Sequence, residues 1–598
     1  MRKIAFTLSL IIGTIAQCFA YDFSVVCESG QTLYYSINQG TETVQLVKGN
    51  YGNGDVRPSG NLIIPASVEH GGITYQIQAV GYAAFEDCVG LHSVVFSEPS
   101  FVNSLYYYSF SGCVGLISVL LPNSIQSIEG YSFKGCTALN TINFPEGIAS
   151  IGYQAFVNCS SLENVVLPET LVEIKGEAFR KCVSLNSMII PNSLISMGDY
   201  SFAGCEKLTT LIIGNSLEII ARNAFANCEK LQSVIFIAPS SLKVIESNAF
   251  DNCGELAIIE FPESLVTIGS ESFKKCVSLK DIILSDGVES IGSYAFIGCS
   301  SVESIKFSSS LKEINNSAFR EIPLVTTIYI PDNVILVGDY AFAKCSGLKE
   351  VVIGNMVTTI GSYTFLDCSS LENVVLGCNV TNLGYYAFDG TNLNAMTVKA
   401  SLPPIILSNT FQGISRDIPI TIPCGSLERY QNKDYWDEFT NYTEDFVLSF
   451  VAMSENDELG TVNIIKEPMT CDDMMVEVEA VEKNGSVFKG WEANGVFVSN
   501  ENPYSFILEE DIVLIARFSG MGLEESGRER IDVYPNPTNG TVTIDGLKVA
   551  EVKVYDALGQ LVKESKENVI DLSAQEAGTY LIKVITPSGV VTKQIIKK

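Results

Sequence analysis

One motif recurs through most of this chain and limits what it can fold into. The unit reads Ile-Gly-x-x-Ala-Phe-x-x-Cys-x-x-Leu-x-x-Val-x-Leu-Pro, and its phenylalanine, numbered here as position 0, occurs fifteen times. The interval is 23 residues throughout, except for two intervals of 25 residues. A repeat this short cannot bury its own apolar side chains, so successive units must stack on one another. The repeat phenylalanines are Phe85, Phe110, Phe133, Phe156, Phe179, Phe202, Phe225, Phe250, Phe273, Phe296, Phe319, Phe342, Phe365, Phe388 and Phe411.

The spacing of the other apolar positions predicts a solenoid of parallel strands. Aliphatic or aromatic residues at positions +9 and +11 alternate with other residues, which predicts a strand with those two side chains inward. Proline follows at +12 in six units and ends that strand. Apolar residues at −5 and −8 predict a second, shorter strand, and glycine at −4 turns the chain. The stretch from Ala-Phe to Cys is expected to form a single helical or 3₁₀ turn.

Twelve of the seventeen cysteines fall at position +3 of the repeat. Metal binding and disulfide formation are one explanation, and a buried ladder of thiols is the other. Ile322, Thr391 and Ile414 replace cysteine at this position, which a metal ligand would not tolerate. Side chains stacked in one register also point the same way and do not meet for bridging. We therefore expect free, buried thiols at Cys88, Cys113, Cys136, Cys159, Cys182, Cys205, Cys228, Cys253, Cys276, Cys299, Cys345 and Cys368.

Composition excludes two classes of partner. Apolar residues make up 46% and charged residues 18% of the 598 residues, which is typical of a chain that forms a core. The net charge of −30 argues against nucleic acid and against an anionic membrane surface, because both require clustered positive charge.

Residues 1–20 have the pattern of a secretory signal peptide. Arg2 and Lys3 form the positive start, residues 4–16 are apolar, and small residues stand at 18 and 20. This pattern predicts cleavage before Tyr21. The apolar run is too short to span a membrane, and no other segment is long and apolar enough to be a transmembrane helix.

The repeat resembles the BspA-like leucine-rich repeats of bacterial surface proteins over residues 75–415. The resemblance implies a mainly β fold with short helical turns, in which a leucine-rich-repeat solenoid of about 15 units of 23 residues precedes two small β domains. Residues 21–74 resemble the N-terminal cap of such proteins, and residues 416–444 resemble their C-terminal cap. A cap must cover the apolar end of a solenoid, so we expect Trp436 and Tyr430 to pack on the last coil.

Two further segments follow the repeats. Residues 445–518 contain alternating strand patterns and the pieces "FKGWEANG" and "NPYSFIL", which resemble the divergent repeats of internalin-type bacterial surface proteins. Trp491, Tyr504 and Phe506 are expected to form the small core of this domain. Residues 519–530 are rich in glycine and charge, which indicates a linker.

Residues 531–598 resemble the C-terminal sorting domain of the type IX secretion system. The resemblance rests on "YPNP", a Val-Tyr-Asp-x-x-Gly hairpin and a Gly-x-Tyr-x-x-x-Val strand, in that order. It implies contact with the type IX secretion machinery, passage across the outer membrane, removal of this domain and attachment to surface lipopolysaccharide. The expected location is therefore the cell surface or the extracellular space.

The sequence contains no recognisable catalytic, metal-binding or cofactor-binding motif. The only histidines are His70, before a predicted turn, and His92, at the variable position +7. There is no His-Glu-x-x-His, Cys-x-x-Cys, phosphate-binding glycine loop or EF-hand loop. Carboxylates are scattered over the repeat surface. The two catalytic carboxylates of a glycosidase require no sequence motif, so the sequence alone does not identify such a pair. We expect no catalytic residue, no metal and no cofactor.

Three functions remain open on these grounds. The first is an adhesin-like surface protein that binds host matrix proteins or bacterial surface proteins through its repeats, as the resemblance implies. The second is a glycan-binding surface protein, and a remote third is an accessory to a glycoside hydrolase. Exposed aromatic rings with polar neighbours would favour glycans, and a contiguous apolar stripe would favour proteins.

Position +10 of the repeat is the first candidate binding site. It lies between two inward positions, so its side chain must point outward, yet it is mostly apolar. Position +8, also outward, is mostly Ser, Thr or Asn. One explanation is that β-branched residues favour a pleated surface, and the other is a binding face. Asn143, Glu260 and Lys306 interrupt the row. Its candidate ligand-binding residues are Val166, Ile189, Ile212, Ile235, Val352 and Val375.

Position −2 is the second candidate. Seven repeats carry tyrosine there, and others carry Glu, Gln or Asn, which indicates a solvent-facing rim. Either the rings stack and stiffen the coil, or they contact a sugar or protein. Three consecutive repeats carry the candidates Tyr340, Tyr363 and Tyr386.

Overall fold

The computed structural model describes the chain from residue 21 to residue 597, with gaps. The described residues are 21–51, 56–445, 450–455, 459–466, 475–493, 496–508, 512–519, 532–534, 541–545, 551–555, 561–567, 569–573, 575, 578–586 and 589–597. They fall into two units, one formed mainly by residues up to 445 and the other by residues from 450 onward. The predicted signal peptide and most of the predicted linker lie outside the described residues.

The first unit is built around a continuous stack of the fifteen repeat phenylalanines. Every ring is buried, and each lies parallel to the next, with centroids 5.1 to 5.8 Å apart and planes within 18°. Burial of one phenylalanine side chain stabilises the fold by about 2 kcal/mol. The distance between neighbouring rings is close to the separation of hydrogen-bonded strands. Ring stacking and strand pairing therefore favour the same distance between coils.

The predicted strand at positions +8 to +11 is present in all but one repeat. Neighbouring copies pair in parallel at the repeat interval, for example Ile189 with Ile212 and Ile212 with Ile235, except that Asn373 pairs with Ala395, 22 residues on. We call this the main ladder. Its strands are Leu91–Phe96, Ser118–Leu120, Thr141–Ile142, Ser187–Ile190, Thr210–Ile213, Ser233–Phe236, Ile258–Ile259, Asp281–Ile283, Ser304–Lys306, Thr327–Tyr329, Glu350–Val352, Asn373–Leu376 and Ala395–Val398.

The second predicted strand is also present, as two residues per coil at positions −6 and −5. The −5 side chain points into the core in each case, and the strands pair in parallel. We call this the short ladder. Its strands are Ser104–Leu105, Ser127–Ile128, Ser150–Ile151, Glu173–Ile174, Ser196–Met197, Ile219–Ile220, Val244–Ile245, Thr267–Ile268, Ser290–Ile291, Glu313–Ile314, Leu336–Val337, Thr359–Ile360 and Asn382–Leu383.

The turn around each phenylalanine differs from the predicted helical or 3₁₀ turn in its hydrogen bonds. Residues at −2 and +2 have positive φ, for example Tyr108 at 62° and Gly112 at 72°. This alternation directs every second N–H towards the next coil. In the second repeat, those of Tyr108, Phe110 and Gly112 donate to carbonyls of the next coil over 2.8 to 3.2 Å. The two N–H groups between them, those of Ser109 and Ser111, make i→i−3 bonds within their own coil.

The ladder cysteines are free and buried, as predicted. The structure adds a hydrogen-bonding role, since eleven of the twelve thiols donate to the carbonyl oxygen of the phenylalanine in the preceding coil. The Sγ-to-O distances run from 3.0 to 3.4 Å. Cysteine therefore combines a small apolar body with a weak donor for a buried carbonyl. Burial raises the pKa of the Cys228 and Cys299 thiols to about 12.

Glycine at position −4 allows close approach between coils. At Gly269 a Cβ atom would lie 2.7 Å from Glu246 C and 2.8 Å from Ile245 O, both backbone atoms of the preceding coil. Glycine at position −4 is therefore needed because a side chain there would clash with the preceding coil, and not only because it turns the chain as predicted.

Residues 21–80, which include the predicted cap at 21–74, supply strands to both ladders. These strands are Phe23–Val26, Thr32–Ile37, Thr43–Val47, Gly60–Ile64, Ser67–His70 and Ile73–Val80. Gly60–Ile64 pairs with the first main-ladder strand, and Ile73–Val80 pairs with the first short-ladder strand. On Gly60–Ile64, Gln31 Nε2 donates to the carbonyls of Ser59 and Asn61, and Ile63 N–H donates to Ser29 Oγ. Side chains thus satisfy part of an edge that would otherwise attract another strand.

The C-terminal cap covers the other end as predicted. Strands Ile420–Pro423 and Tyr442–Asp445 extend the main ladder, and helix Leu427–Gln431 lies between them. Trp436 packs edge-on against Phe411 at 5.8 Å, and its Nε1–H donates to the carbonyl of Pro404. Tyr430 is fully buried and donates its hydroxyl proton to the carbonyl of Ala400 at 2.7 Å. Cys424 is disulfide-bonded.

The second unit is all β in its described residues. Two sheets cover residues 450–519, with strands Phe450–Ser454, Gly460–Lys466, Met475–Glu482, Val487–Ala493, Val496–Ser499, Tyr504–Ile507 and Ile512–Ser519. Trp491 is buried as predicted, and its Nε1–H donates to the carbonyl of Glu501. Tyr504 and Phe506 are half-buried and stack on each other at 5.2 Å, so the prediction that both belong to the core is wrong.

The rest of the second unit forms two antiparallel sheets, as predicted for residues 531–598. Val542, Ile544, Val552, Val554 and Ile582 belong to their shared core. The strands are Asp532–Tyr534, Thr541–Asp545, Glu551–Tyr555, Leu561–Ser565, Val569–Asp571, Gly578–Thr586 and Gly589–Lys597. The boundaries that separate a divergent repeat, a linker and a sorting domain stay predictions.

The thiol ladder gives a first testable prediction. We expect the twelve ladder cysteines to resist iodoacetamide at pH 8 in the folded protein and to react after denaturation without reductant. Burial keeps them protonated and inaccessible, and only the thiolate reacts. Mass spectrometry of the labelled peptides counts the modified thiols. Recovery of most ladder cysteines as disulfides would refute the ladder.

The glycines give a second prediction. Gly269→Ala should destabilise the array by about 1–3 kcal/mol, because the added methyl group overlaps the backbone of the preceding coil. Gly254→Ala is the matched control, since the nearest atom to its Cβ is 3.9 Å away. Urea unfolding followed by circular dichroism measures both variants. Equal midpoints for the two variants would contradict the steric role.

Candidate functional site

The exposed face of the main ladder carries the predicted apolar row at position +10. Ile189, Ile212 and Ile235 lie in three adjacent strands and pair in register, so their side chains form one continuous surface. Ile189 is 58% exposed and Ile235 50%, while Ile212 between them is half-buried. We call these three residues the isoleucine strip. The strands that carry it are four residues long, among the longest of the main ladder.

Hydroxyl side chains lie along one edge of the isoleucine strip. Ser187, Thr210 and Ser233 stand at position +8 of the same three strands and pair with one another in register. Both rows face outward, because positions +8 and +10 lie on the same side of a pleated strand. The surface therefore presents an apolar row and a parallel row of hydroxyl groups, each with one residue per strand.

The other members of the row are separated from the isoleucine strip. Val166 is 81% exposed and lies in the one repeat without a main-ladder strand. Val352 and Val375 pair with each other and Val352 pairs with Tyr329, in a different sheet. The structure therefore brings together Ile189, Ile212 and Ile235 in one place and Val352 and Val375 in another.

Polar residues at +10 mark the points where the main ladder divides. Within residues 56–445, all of which are described, the ladder is interrupted after the strands that precede Asn143 and Glu260 and after the strand that ends at Lys306. Asn143 shows how a side chain can replace ladder contacts. Its Oδ1 accepts from Leu121 N–H at 2.6 Å, and its Nδ2 donates to the Leu121 carbonyl at 3.0 Å. The sequence showed that these three residues interrupt the apolar row at +10. It did not show that the strand pairing of the main ladder also stops at them.

The second candidate row, at position −2, is a stack of tyrosine rings. Tyr340 and Tyr363 are parallel with centroids 4.6 Å apart, and Tyr363 and Tyr386 follow at 5.3 Å. The Arg320 guanidinium lies 5.6 Å from the centroid of the Tyr340 ring. All three rings are half-buried, and neighbouring rings cover both faces of Tyr363. This arrangement favours the stiffening role, since stacked aromatic pairs contribute about 1 kcal/mol each beyond burial.

Sequence reasoning missed a group of tyrosines near the start of the array. Tyr82, Tyr107 and Tyr153 stand at position −3 of the first, second and fourth repeats and are 40–50% exposed. Together with Tyr108 and Tyr131 at position −2 they form a cluster of rings over four coils. Position −3, read in register in the same way as −2, would have revealed them.

The residues considered for chemistry have ordinary surroundings. The His70 ring stacks on Phe23 with centroids 4.1 Å apart, and His92 is exposed at position +7. Among the described residues, no three His, Cys, Asp or Glu side chains group so as to hold a metal ion. The described part of the chain also lacks any helix that is both long and apolar enough to cross a membrane.

Solved structures similar to this chain include leucine-rich-repeat proteins of bacteria. A leucine-rich repeat protein from Bacteroides ovatus is 25% identical, with a TM-score of 0.49, over 71% of this chain and 100% of that one. A leucine rich cell surface protein from Faecalibacterium prausnitzii is 24% identical, with a TM-score of 0.35, over 59% and 95%. The pneumococcal vaccine antigen PcpA is 18% identical, with a TM-score of 0.37, over 71% and 100%. Among curated proteins, none matches significantly.

Two protein-family models match the chain. A model described as BspA type leucine rich repeat region matches six copies, over residues 66–186, 149–277, 234–349 and 266–396. A model described as secretion system C-terminal sorting domain matches residues 532–598, which implies export to the cell surface or extracellular space. Because the repeat matches extend over residues 66–396, more than half of the chain, this protein belongs to the BspA-type leucine-rich-repeat family and carries a type IX secretion sorting domain.

Proposed function

We propose that this protein is an adhesin-like surface protein whose repeat array binds host matrix proteins or proteins of other bacteria. The isoleucine strip is the observation that carries the proposal. Leucine-rich repeats generally bind other proteins, and this array exposes an ordered apolar row where a pleated strand would otherwise carry polar side chains. We assign the binding face to Ile189, Ile212 and Ile235 and to the hydroxyl row beside them.

The energetics of the isoleucine strip suit a protein partner. Covering an isoleucine that is about half exposed stabilises a complex by roughly 1 kcal/mol. Three adjacent isoleucines therefore supply a few kcal/mol, and each 1.4 kcal/mol changes the dissociation constant about tenfold. In the fourth strand of the same sheet, Ile258 at position +8 pairs with Ser233 and is 62% exposed, and position +10 is Glu260. The row at +10 is therefore centred on these three coils, with Ile258 at its edge.

The hydroxyl row gives the face its polar component. Ser187, Thr210 and Ser233 are short, so they leave room for a partner's backbone to approach and form hydrogen bonds. An extended peptide segment presents both apolar side chains and backbone N–H and C=O groups. A segment that crosses the three strands would meet the isoleucine strip and the hydroxyl row together.

Strand stability alone is the main alternative to binding for the isoleucine strip. β-Branched residues favour pleated surfaces and shield one another, so the strip could serve the sheet without meeting a partner. The valines at 352 and 375 and the tyrosines at 340, 363 and 386 stay secondary candidates for binding, because they lie in other coils and the tyrosine faces cover one another. An accessory role to a glycoside hydrolase has no separate observation in its favour.

We further propose that residues 1–20 direct export across the inner membrane and that residues 531–598 direct passage across the outer membrane. The match to a sorting domain supports the second step. On this proposal the type IX machinery removes the domain, and the mature chain is attached to surface lipopolysaccharide. The repeat array then reaches its partners without the sorting domain.

Replacement of the isoleucine strip tests the binding face. The triple variant Ile189→Thr, Ile212→Thr, Ile235→Thr keeps the β-branch and should preserve the fold while removing apolar surface. We expect binding to immobilised matrix proteins or to bacterial cells to weaken at least about tenfold, the equivalent of 1.4 kcal/mol. Protease treatment of the target should abolish the remaining signal.

A matched variant separates the isoleucine strip from apolar surface in general. Ile195, Val266 and Ile335 are also exposed but stand at position −7, away from the main ladder. Their replacement by threonine should leave binding unchanged. If the variant of the isoleucine strip binds as tightly as the parent, while both melt within a few degrees of it, that strip is not the site.

Deletion of residues 531–598 tests the export route. We expect the truncated protein to fold and to accumulate in the periplasm, because the repeat array has its own core and lacks only the sorting signal. Fractionation and protease accessibility on intact cells measure its location. Peptide mapping of the surface form of the full-length protein should lack these residues. Normal surface display of the truncated chain would contradict the assignment.

A further inference from the structure

The cluster of tyrosines near the start of the array forms a second exposed surface, away from the main ladder. We call it the N-terminal tyrosine patch and define it as Tyr82, Tyr107, Tyr108, Tyr131 and Tyr153. These residues stand at positions −3 and −2 of the first four repeats, on the turn that precedes the phenylalanine. Tyr82 is 50% exposed, Tyr107 46% and Tyr153 40%.

Four of the rings form an unbroken chain of contacts. Tyr108 and Tyr131 are parallel, with centroids 4.6 Å apart and planes at 1°. Tyr82 meets Tyr108 edge-on at 5.7 Å, and Tyr153 meets Tyr131 edge-on at 5.6 Å. The central pair is therefore fixed, and the outer rings are held against it while much of their surface stays open. The chain spans three coil steps, or roughly 14 Å.

Glycines beneath two of the rings shape the surface. A Cβ at Gly130 would lie 2.9 Å from Tyr107 Cε1, and a Cβ at Gly176 would lie 3.4 Å from Tyr153 Cδ2. The Tyr107 and Tyr153 rings thus occupy space that a side chain at the glycine would need. Position −3 alternates between tyrosine and glycine from Tyr107 to Gly176, which leaves the rings standing apart from one another along the array.

The fold does not require tyrosine at position −3. The next eight coils stack with the same phenylalanine spacing and carry small or charged residues there, and tyrosine returns once, at Tyr385. Exposed aromatic rings concentrated at one end of a periodic array therefore call for an explanation outside the solenoid core. The residues of those eight coils at this position are Asp199, Arg222, Ser247, Ser270, Ser293, Asn316, Asp339 and Ser362.

The polar groups beside the rings are already paired with one another. Tyr153 donates its hydroxyl proton to Glu177 Oε1 at 2.6 Å, and Gln154 Nε2 donates to Tyr153 Oη at 3.2 Å. Arg180 Nη1 donates to Glu177 Oε2 at 2.6 Å. The hydrogen bond to Glu177 raises the pKa of Tyr153, so this phenol stays neutral in ordinary buffers. Lys134 Nζ lies 5.1 Å from the centroid of the Tyr131 ring, where it faces the ring electrons. The rim therefore offers amide and hydroxyl groups, a paired Glu177 and Arg180, and one ammonium group held against a ring of the central pair.

We infer that the N-terminal tyrosine patch binds a neutral oligosaccharide chain. Pyranose rings present C–H groups to the faces of aromatic rings and hydroxyl groups at their edges, which matches open tyrosine rings with an amide and hydroxyl rim. The balanced charges of Glu177 and Arg180 favour an uncharged ligand, and the extent of the patch favours a chain over a single sugar. This site is separate from the isoleucine strip and adds a ligand class to the proposed protein binding.

Binding of defined hexasaccharides tests the inference. Maltohexaose, cellohexaose and the hexasaccharide of N-acetylglucosamine are titrated into the full-length chain in a calorimeter. We expect at least one to bind, and the triple variant Tyr82→Ser, Tyr107→Ser, Tyr153→Ser to lose at least about tenfold in affinity, or 1.4 kcal/mol. Serine stands at position −3 in several later repeats, so the coil accommodates it.

Two control variants make the result specific. Tyr294→Ser, Tyr329→Ser, Tyr385→Ser removes three exposed tyrosines outside the patch and should bind the hexasaccharides like the parent. Tyr153→Phe keeps the ring and removes the hydroxyl, and should lose less affinity than Tyr153→Ser. The variant of the isoleucine strip should also retain sugar binding, which separates this inference from the proposed protein binding.

The inference is overturned by any of three results. In the first, the parent chain binds none of the three hexasaccharides. In the second, the triple serine variant binds them as tightly as the parent. In the third, no hexasaccharide binds and the serine variant also loses binding to a protein, which assigns the patch to protein recognition. Circular dichroism melting of each variant shows that the comparison is made on folded protein.

Discussion

The stack of phenylalanine rings is the contact on which the rest of the array depends. Each ring lies on the next at 5.1 to 5.8 Å, so every coil must repeat the path of its neighbour closely. A coil that matches its neighbour can direct alternate N–H groups of the turn into it and let a thiol reach the carbonyl of the preceding phenylalanine. The same match leaves no room for a Cβ at glycines such as Gly269. The small-residue positions are thus consequences of the stack.

Most of the solenoid could be predicted from the sequence, because burial imposes a strict period. The phenylalanine, the cysteine at +3, the leucine at +6 and the two strands all follow from spacing alone. The turn could not be predicted in the same way. Its positive φ angles fall at +2, where glycine stands in some repeats, and at −2, where tyrosine, glutamate and asparagine stand and glycine does not. Hydrogen bonds to the next coil hold these residues in that conformation. These bonds cannot be predicted from the sequence of one repeat, because they join two coils.

The candidate sites were predictable to the extent that they depend on side-chain direction. The outward direction of +10 follows from strand alternation, and the register of Ile189, Ile212 and Ile235 follows from the constant interval. The extent of the apolar row does not follow, because the main ladder divides beside Asn143, Glu260 and Lys306 and leaves Val166 outside it. At the first division the Asn143 side chain hydrogen-bonds to the backbone of Leu121, a contact that spacing does not predict. The tyrosines at −3 are visible as residues, but their contacts over four coils depend on the path of the turn.

A periodic fold makes departures from its own pattern informative. Core positions are constrained in every coil, whereas each outward row can vary without affecting the stack. The core does not require an apolar residue on an outward row, so such a residue serves either the pleated strand itself or a partner. The isoleucine strip and the N-terminal tyrosine patch are both runs of such residues, on different rows and in different coils. Aliphatic side chains with hydroxyls suit a peptide, and open aromatic rings with balanced charges suit a sugar chain. Because the two surfaces share no residue, substitutions in one surface leave the chemistry of the other intact, and each proposal can be tested without the other.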